Sequence, residues 1–324
     1  MNVRLIQVDG KLPNLALMRL SAFHKKHKDS VVLSRSVDSD LFQQNPDAIY
    51  ASTIFKYSAP LVTRLKRNFP GVVVGGTGEN LTTKIEDYIS DSSDLDYSLY
   101  PDFTSSIGFS MRGCRLQCGF CVVPEKEGRP VENKSINQIW RGQKYPKHII
   151  LLDNDFFGQP KDVWKEKIRE MVDGNFKVSF NQGLNARLLN PEACHYLAKV
   201  KYYDDGFKTK RLYTAWDNLR DEKIFFRGVE MLEEAGISPS HLMVYMLIGY
   251  DPEETWERIL HRFKKMVELG IKPYPMVYDR KRKDLIRFQR YVIRGYYRFI
   301  PWEKYDPRKQ GKQDFKTEQK DLIS

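Results

Sequence analysis

The sequence predicts an α/β protein in which a Rossmann-like domain precedes a TIM-type partial (β/α)6 barrel. Three observations carry this. Through the first eighty residues, short β-branched runs alternate with helix-length stripes, the pattern of a parallel sheet covered by helices. From Ile107 onward, amphipathic helices repeatedly end at a glycine and give way to a strand. Six strands recur in this second part, most of them about thirty residues apart, the length of one β/α unit. The expected division is 1–80 for the Rossmann-like domain, 81–105 for a linker, 106–279 for the barrel and 280–324 for a C-terminal extension.

Residues 3–8 (Val-Arg-Leu-Ile-Gln-Val) read as a strand closing at Asp9-Gly10, and Asn14 as the N-cap of a helix reaching about Lys26. Val31-Val32-Leu33 and residues 47–52 are strands, and the stretch from Leu33 to Ala48 is barely long enough for a parallel crossover. A helix over 59–68 leads through Pro70-Gly71 to Val72-Val73-Val74, which stops at Gly75-Gly76. Glycines there would let backbone approach a ligand closely. The linker is polar and irregular (Asp91-Ser92-Ser93-Asp94), and Tyr97 and Tyr100 are expected to pack rather than catalyse.

In the barrel region, Ile107 to Arg112 alternates as a strand, with Gly113 as its turn. Further strands are expected at 148–152, 176–180, 211–215, 242–248 and 273–277. The helix over 161–173 carries Trp164, Ile168 and Met171 on one stripe and ends at Gly174. Helices over 221–235 and 253–269 end at Gly236 and Gly270, and Glu234-Ala235-Gly236-Ile237 and Glu268-Leu269-Gly270-Ile271 are near copies of one junction. Asp251, Glu253 and Glu254 are read as the start of the latter helix, where acids suit the positive dipole end.

The extension interleaves Arg287, Arg290, Arg294 and Arg298 with Phe288, Tyr291, Tyr296, Tyr297 and Trp302. Such a mixture suits phosphate contact and base stacking, or else an amphipathic helix packing Leu285, Phe288, Val292 and Tyr296 on the barrel. After Asp306 the chain is polar and expected to fray.

Composition narrows the class. The net charge of +11 favours polyanionic partners, so a nucleic acid substrate is one expectation. Four cysteines, three of them clustered, argue against a secreted disulfide scaffold. No stretch approaches the ~18 unbroken apolar residues of a membrane span, and no basic-then-apolar leader opens the sequence, so a reduced, cytoplasmic setting without membrane contact is expected.

The clustered thiols form Cys114-Arg115-Leu116-Gln117-Cys118-Gly119-Phe120-Cys121, a C-x3-C-x2-C loop. Thiolates favour soft metals, leaving zinc or an iron–sulfur cluster. Structural zinc wants four protein ligands, usually two C-x2-C pairs or a Cys/His mixture. The fourth cysteine, Cys194, lies far away in an apolar helical pattern beside His195 and reads as core. Three thiolates suit better a [4Fe–4S] cluster with one iron left open, where an ordinary cluster takes four cysteines.

This loop resembles the cluster loop of radical S-adenosylmethionine (SAM) enzymes. The resemblance implies a [4Fe–4S] cluster on Cys114, Cys118 and Cys121, whose open iron chelates SAM. It implies reductive cleavage of SAM to methionine and a 5′-deoxyadenosyl radical, with Phe120 near the adenine and an external electron donor such as a flavodoxin or ferredoxin. Ligands in parallel barrels sit at the carboxyl ends of strands. There, Asp153-Asn154-Asp155-Phe156-Phe157 resembles the Asp-Asp-x-Phe variant of a motif that holds the SAM amino group, with Asn154 replacing one acid. By position after later strands, Asn181, Gln182 and Arg187 suit the methionyl carboxylate or ribose hydroxyls; Asp217 joins them, and Ile248-Gly249 could meet adenine through the backbone.

The front segment resembles the cobalamin-binding domain of a large radical SAM subgroup, at Pro46-Asp47 and Val74-Gly75-Gly76. Its cobalt-ligating pattern D-x-H-x-x-G is absent, because Asp9-Gly10-Lys11-Leu12-Pro13-Asn14 has lysine in place of histidine. Cobalamin bound through a histidine is therefore not expected, although many of that subgroup lack the histidine and still bind it. Cys121-Val122-Val123-Pro124 with Gly128-Arg129 is also similar to tRNA methylthiotransferases, which carry a second cluster on three further cysteines; only Cys194 remains in this sequence. Two alternatives stand beside the main reading. One is a cobalamin-dependent radical SAM methyltransferase acting on a peptide or small molecule. The other is a non-catalytic metal-cluster module that binds nucleic acid through its tail, which would leave Asp153, Asn181, Gln182 and Asp217 without a common purpose.

Overall fold

The computed structural model describes residues 1–38, 46–89 and 94–309. Part of the Leu33–Ala48 crossover, most of the Asp91–Asp94 stretch and nearly all of the tail expected to fray lie outside the described residues. The chain divides into two compact units, one of Met1–Gly108, Leu116–Arg129 and Ile139–Pro146, the other of Phe109–Arg115, Pro130–Gln138 and the chain from Lys147 onward.

The first unit is built on β1 (Asn2–Gln7), α1 (Leu15–Lys26), β2 (Ser30–Ser34), β3 (Ala48–Ser52), α2 (Ala59–Asn68) and β4 (Val73–Gly75). The strands form one parallel sheet in the order β2-β1-β3-β4, with Leu5 opposite Leu33 and Tyr50. Strand alternation explains how both faces are filled. Val3 and Leu5 pack with Leu17 and Leu20 of α1, whereas Ile6 packs with Val62 and Leu65 of α2. Asn14 caps α1 as expected, its Oδ1 accepting from Leu17 N at 3.1 Å while its Nδ2 donates to Ser52 Oγ at 2.8 Å.

Glycine at the end of β4 is required, but by the chain itself. Gly76 has φ +102°, and a Cβ there would lie 2.1 Å from the Thr53 carbonyl oxygen. The close approach is therefore to the β3 exit, which Asp9 also holds by accepting from Thr53 Oγ1 at 2.8 Å and Ile54 N at 2.7 Å. Tyr100 packs as expected, donating to Gln7 Oε1 at 2.9 Å, and Tyr97 accepts from Ile107 N at 3.1 Å. The unit also contains β5 (Ser106–Gly108) and the short α3 (Val123–Glu127).

The single strand expected over 107–112 is broken. β5 stops at Gly108, and the second unit opens with β6 (Met111–Arg112), antiparallel to β7 (Val131–Glu132). The break falls at Ser110, whose N–H turns to Asp153 Oδ1 at 2.7 Å. After the one-turn α4 (Ile136–Ile139) come β8 (His148–Leu151), α5 (Lys161–Asp173), β9 (Lys177–Phe180), α6 (Pro191–Ala198), β10 (Lys201–Tyr202) and β11 (Leu212–Ala215). They are followed by α7 (Glu222–Glu234), β12 (Leu242–Ile248), α8 (Trp256–Glu268), β13 (Lys272–Val277) and α9 (Lys283–Ile293). β8, β9 and β10 pair in parallel, and so do β11, β12 and β13. β10 is unanticipated: it occupies the edge of β9, and β11 is hydrogen-bonded to the loop that follows β9, where Leu184 N donates to Tyr213 O at 2.7 Å.

The repeated helix ends share one geometry. Ile237 N donates to Leu232 O and Ile271 N to Met266 O, both at 2.9 Å, around Gly236 and Gly270 at φ +90° and +72°. α5 ends alike, but there Asn175 takes the left-handed position, at φ +58°. Gly174 serves contact instead, since a Cβ would stand 2.3 Å from the Phe176 ring. α8 begins later than expected, capped by Thr255, and leaves Asp251, Glu253 and Glu254 in the preceding loop.

α9 packs by the stripe expected of an amphipathic helix, burying Leu285, Phe288, Tyr291 and Val292. Trp302 stands 5.4 Å from Trp256, 5.2 Å from Phe288 and 5.3 Å from Tyr291, ring centre to ring centre. These aromatics form core, while Arg290, Arg294 and Arg298 are exposed. No helix among the described residues is long and apolar enough to cross a membrane.

Candidate functional site

Gly113, at φ +86°, turns the chain out of β6 and into the cysteine loop. Cys114 belongs to the second unit, Cys118 and Cys121 to the first. All three are half-buried, and Cys121 N donates to Cys118 O at 2.9 Å in a turn that leads into α3. Cys194 is fully buried, and burial pushes its thiol up to about 11, so it stays neutral as expected of a core residue. Among the described residues, no three His, Cys, Asp or Glu side chains stand close enough to hold a metal ion. Three accessible soft donors in one loop fit an iron–sulfur cluster by their chemistry.

The Asp153–Asp155 motif lies just past β8 and faces the chain on either side of Cys114. Asp153 is buried, and its Oδ1 accepts from Ser110 N at 2.7 Å and Met111 N at 3.2 Å, while Oδ2 accepts from Ser110 Oγ. Loss of solvent raises this carboxyl to about 6, against the pull of those donors and of Lys167. Lys167, from α5, is 2% exposed and donates to Ser110 O and to Gln159 Oε1, each at 2.5 Å. Its ammonium is lowered by the same burial. Asp155 is also buried and receives Arg115 through Nε at 2.7 Å, Nη2 at 2.9 Å and the backbone N–H at 3.1 Å. The pairing raises the Arg115 guanidinium above its ordinary value. Asn154 and Phe120 are half-buried.

The other strand ends hold the remaining candidates. Asn181 follows β9, its carbonyl accepting from Tyr245 Oη at 3.3 Å, and the neighbouring Gln182 is exposed. Arg187 pairs with Asp221 at 2.6 Å. Asp217 accepts from Leu247 N at 2.8 Å, and burial raises its carboxyl despite Arg262 and Arg187 nearby. Ile248 is buried; Gly249, at φ +78°, donates to Glu254 Oε2 at 2.7 Å. Asp217, Leu247, Gly249 and Glu254 converge with Arg262, which is 1% exposed and bonds Trp216 O and Leu247 O, both at 2.9 Å, and Glu254.

Lys167, Arg262 and Arg115 are the residues that the sequence reading missed. A signal for two of them was present. Lys167 falls between Trp164 and Met171, and Arg262 between Ile259 and Met266, at the i+3 position of an apolar stripe. A cation on that stripe must be buried with partners, because burying it alone is costly.

The first unit separately holds a cavity of about 570 Å³ lined by Tyr97, Phe103, Arg141 and Tyr145 among others. The Arg141 guanidinium there lies 3.8 Å from the Tyr97 ring centre and 3.7 Å from that of Tyr145. None of the sequence candidates lines it.

No protein-family model matches the chain. It is 22% identical over 271 residues to tRNA-2-methylthio-N(6)-dimethylallyladenosine synthase of Sulfurihydrogenibium sp. (strain YO3AOP1), covering 76% of this chain and 59% of that protein. The solved structure of the apo, selenomethionine-labelled cobalamin-dependent S-adenosylmethionine radical enzyme OxsB matches with a TM-score of 0.53 and 12% identity, over 91% of this chain and 55% of that one. The chain thus spans between half and two thirds of either protein, and the second likeness concerns the fold alone. Parallel α/β sheets and a C-x3-C-x2-C loop thus accompany a sequence likeness to a tRNA methylthio synthase and a fold likeness to a radical SAM enzyme.

Proposed function

We propose that the chain binds one [4Fe–4S] cluster through Cys114, Cys118 and Cys121, cleaves SAM with an electron from a flavodoxin- or ferredoxin-like donor, and modifies a nucleic acid, tRNA being the first candidate. The observation that carries the reading is the loop itself, with three half-buried cysteines in eight residues. When bound, the cluster supplies the electron for reductive cleavage of SAM; the chain has to hold SAM and substrate in register and keep water out. Asn154, Asn181, Gln182, Arg187, Asp217, Ile248 and Gly249, at the carboxyl ends of their strands, are the groups assigned to SAM. Phe120 is assigned to adenine on its place in the loop. The tRNA assignment draws on the name of the curated relative, the charge of +11 and the exposed Arg290, Arg294 and Arg298.

Cobalamin does not fit at position 11. Lys11 is exposed, and an ammonium is a poor cobalt ligand near neutral pH. Protein produced with added cobalamin and purified anaerobically is expected to show no stoichiometric corrinoid spectrum.

The central test is anaerobic reconstitution with SAM and dithionite. About four irons per chain are expected for this cluster type, with release of 5′-deoxyadenosine. Iron uptake without SAM cleavage would favour the non-catalytic module. For the substrate, tRNA affinity should fall steeply with salt, and Arg290→Ala with Arg294→Ala should flatten that slope. Absence of tRNA binding at low salt would move a peptide or small molecule to the front.

A further inference from the structure

We propose that Asp155 is a positioning residue that clamps the cysteine loop through Arg115, and that with Asp153 it fixes the backbone on both sides of Cys114. This rests on the cluster reading and reassigns a carboxylate that the resemblance gave to the SAM amino group. The argument begins with hydrogen-bonding capacity. An ionised carboxylate offers about four lone-pair positions. Arg115 takes three of those on Asp155, two through a forked guanidinium contact and one through its backbone N–H. Forked pairs of this kind are specific in geometry as well as strong.

The surroundings are shaped for the pair. Asp155 is 2% exposed. A Cβ on Gly158 would fall 2.5 Å from Asp155 Oδ2, so only glycine admits the carboxylate there, and Gly158 N donates to Asp155 O at 2.7 Å. Two residues earlier, Asp153 takes the N–H groups of Ser110 and Met111, and Lys167 takes the carbonyl of Ser110. One tripeptide after β8 therefore holds residues 110–111 and residue 115. Only Arg112, Gly113 and Cys114 lie between the two anchors.

A ligand cysteine held from both sides loses little freedom when it binds. Removing either half of the clamp should return that freedom and loosen the cluster. Because one contact is shared, Arg115→Met and Asp155→Asn should each speed iron loss to a chelator by about tenfold, and the double variant should be no faster than either single. Arg115→Lys, which keeps the charge but not the fork, should fall between.

The experiment loads wild type and variants anaerobically, then measures iron release to bathophenanthroline, the electron paramagnetic resonance spectrum of the reduced cluster with and without SAM, SAM binding by equilibrium dialysis, and melting of the cluster-free chains. The clamp predicts faster release in all three single variants, a shifted spectrum before SAM is added, and unchanged SAM affinity in the protein that retains iron. Weaker SAM binding in Asp155→Asn, with wild-type iron retention and a silent Arg115→Met, would overturn it and restore Asp155 as a SAM ligand. If Asp155→Asn fails to fold, Arg115→Lys carries the same readouts alone, and wild-type release from it overturns the clamp. Wild-type protein that takes up no iron would defeat the cluster reading, a result distinct from loaded variants that behave as wild type.

Discussion

Asp153 offers a prediction whose size follows from the structure. Its carboxyl moves from 3.8 to about 6 on folding because burial outweighs the Ser110 and Met111 donors and Lys167. The folded state therefore binds a proton more tightly than the unfolded state, and the associated stability is fully present below pH 3.8 and lost as pH rises through about 6. At 1.36 kcal/mol per pH unit the loss is about 3 kcal/mol. Asp153→Asn removes the titration while its Oδ1 still accepts from both backbone N–H groups, and Ser110 Oγ can turn to accept from the amide. Urea denaturation of cluster-free wild type and variant between pH 3.5 and about 8 isolates the effect, because the difference between them cancels the other titrating groups. Relative to the variant, wild type should weaken by about 3 kcal/mol across that window. A flat difference, or one that grows in favour of wild type with pH, would refute the reasoning and show instead a carboxylate stabilised as the partner of Lys167.

Cys114→Ala, Cys118→Ala or Cys121→Ala should each abolish stable cluster uptake, whereas Cys194→Ala should leave iron content unchanged while costing a little core stability; iron assay and melting separate the two. Gly76→Ala places a Cβ 2.1 Å from a backbone oxygen at φ +102° and should destabilise by at least about 2 kcal/mol, while Gly71→Ala, with nothing within 4 Å, should stay within about 0.5 kcal/mol. Arg262→Met strands the buried Glu254 and two carbonyls and should cost roughly 3–5 kcal/mol, part of it regained by adding Glu254→Gln.

Much of this chain was legible as periodicity. The readings 59–68, 161–173 and 242–248 coincide with α2, α5 and β12, because an apolar stripe or alternation bounded by Gly, Pro or a cap is local information. The three cysteines stood out for the same reason: their spacing lies within one loop. The alternation over 107–112 was equally clear and still misled, since Ser110 gives its N–H to a residue 43 positions away.

What the sequence by itself determined is most of the longer helices and strands, the parallel class of the main sheets, the cap at Asn14 and the candidate ligands. What only the tertiary structure decided is which polar groups are already engaged. Asp153, Asp155 and Asp217 read as open carboxylates at strand ends, yet the first two are buried, the third is half-buried, and each is bonded to the chain: Asp153 to Ser110, Asp155 to Arg115, Asp217 to Leu247. The tail aromatics admitted two readings, stacking platform or packing stripe, and Phe288, Tyr291 and Trp302 face Trp256 and Phe263. The physical reason is common to both. Backbone propensity and amphipathic period act over a few residues, whereas a buried charge or ring is defined by partners tens of residues away, and desolvation makes those partners obligatory only once the chain has folded.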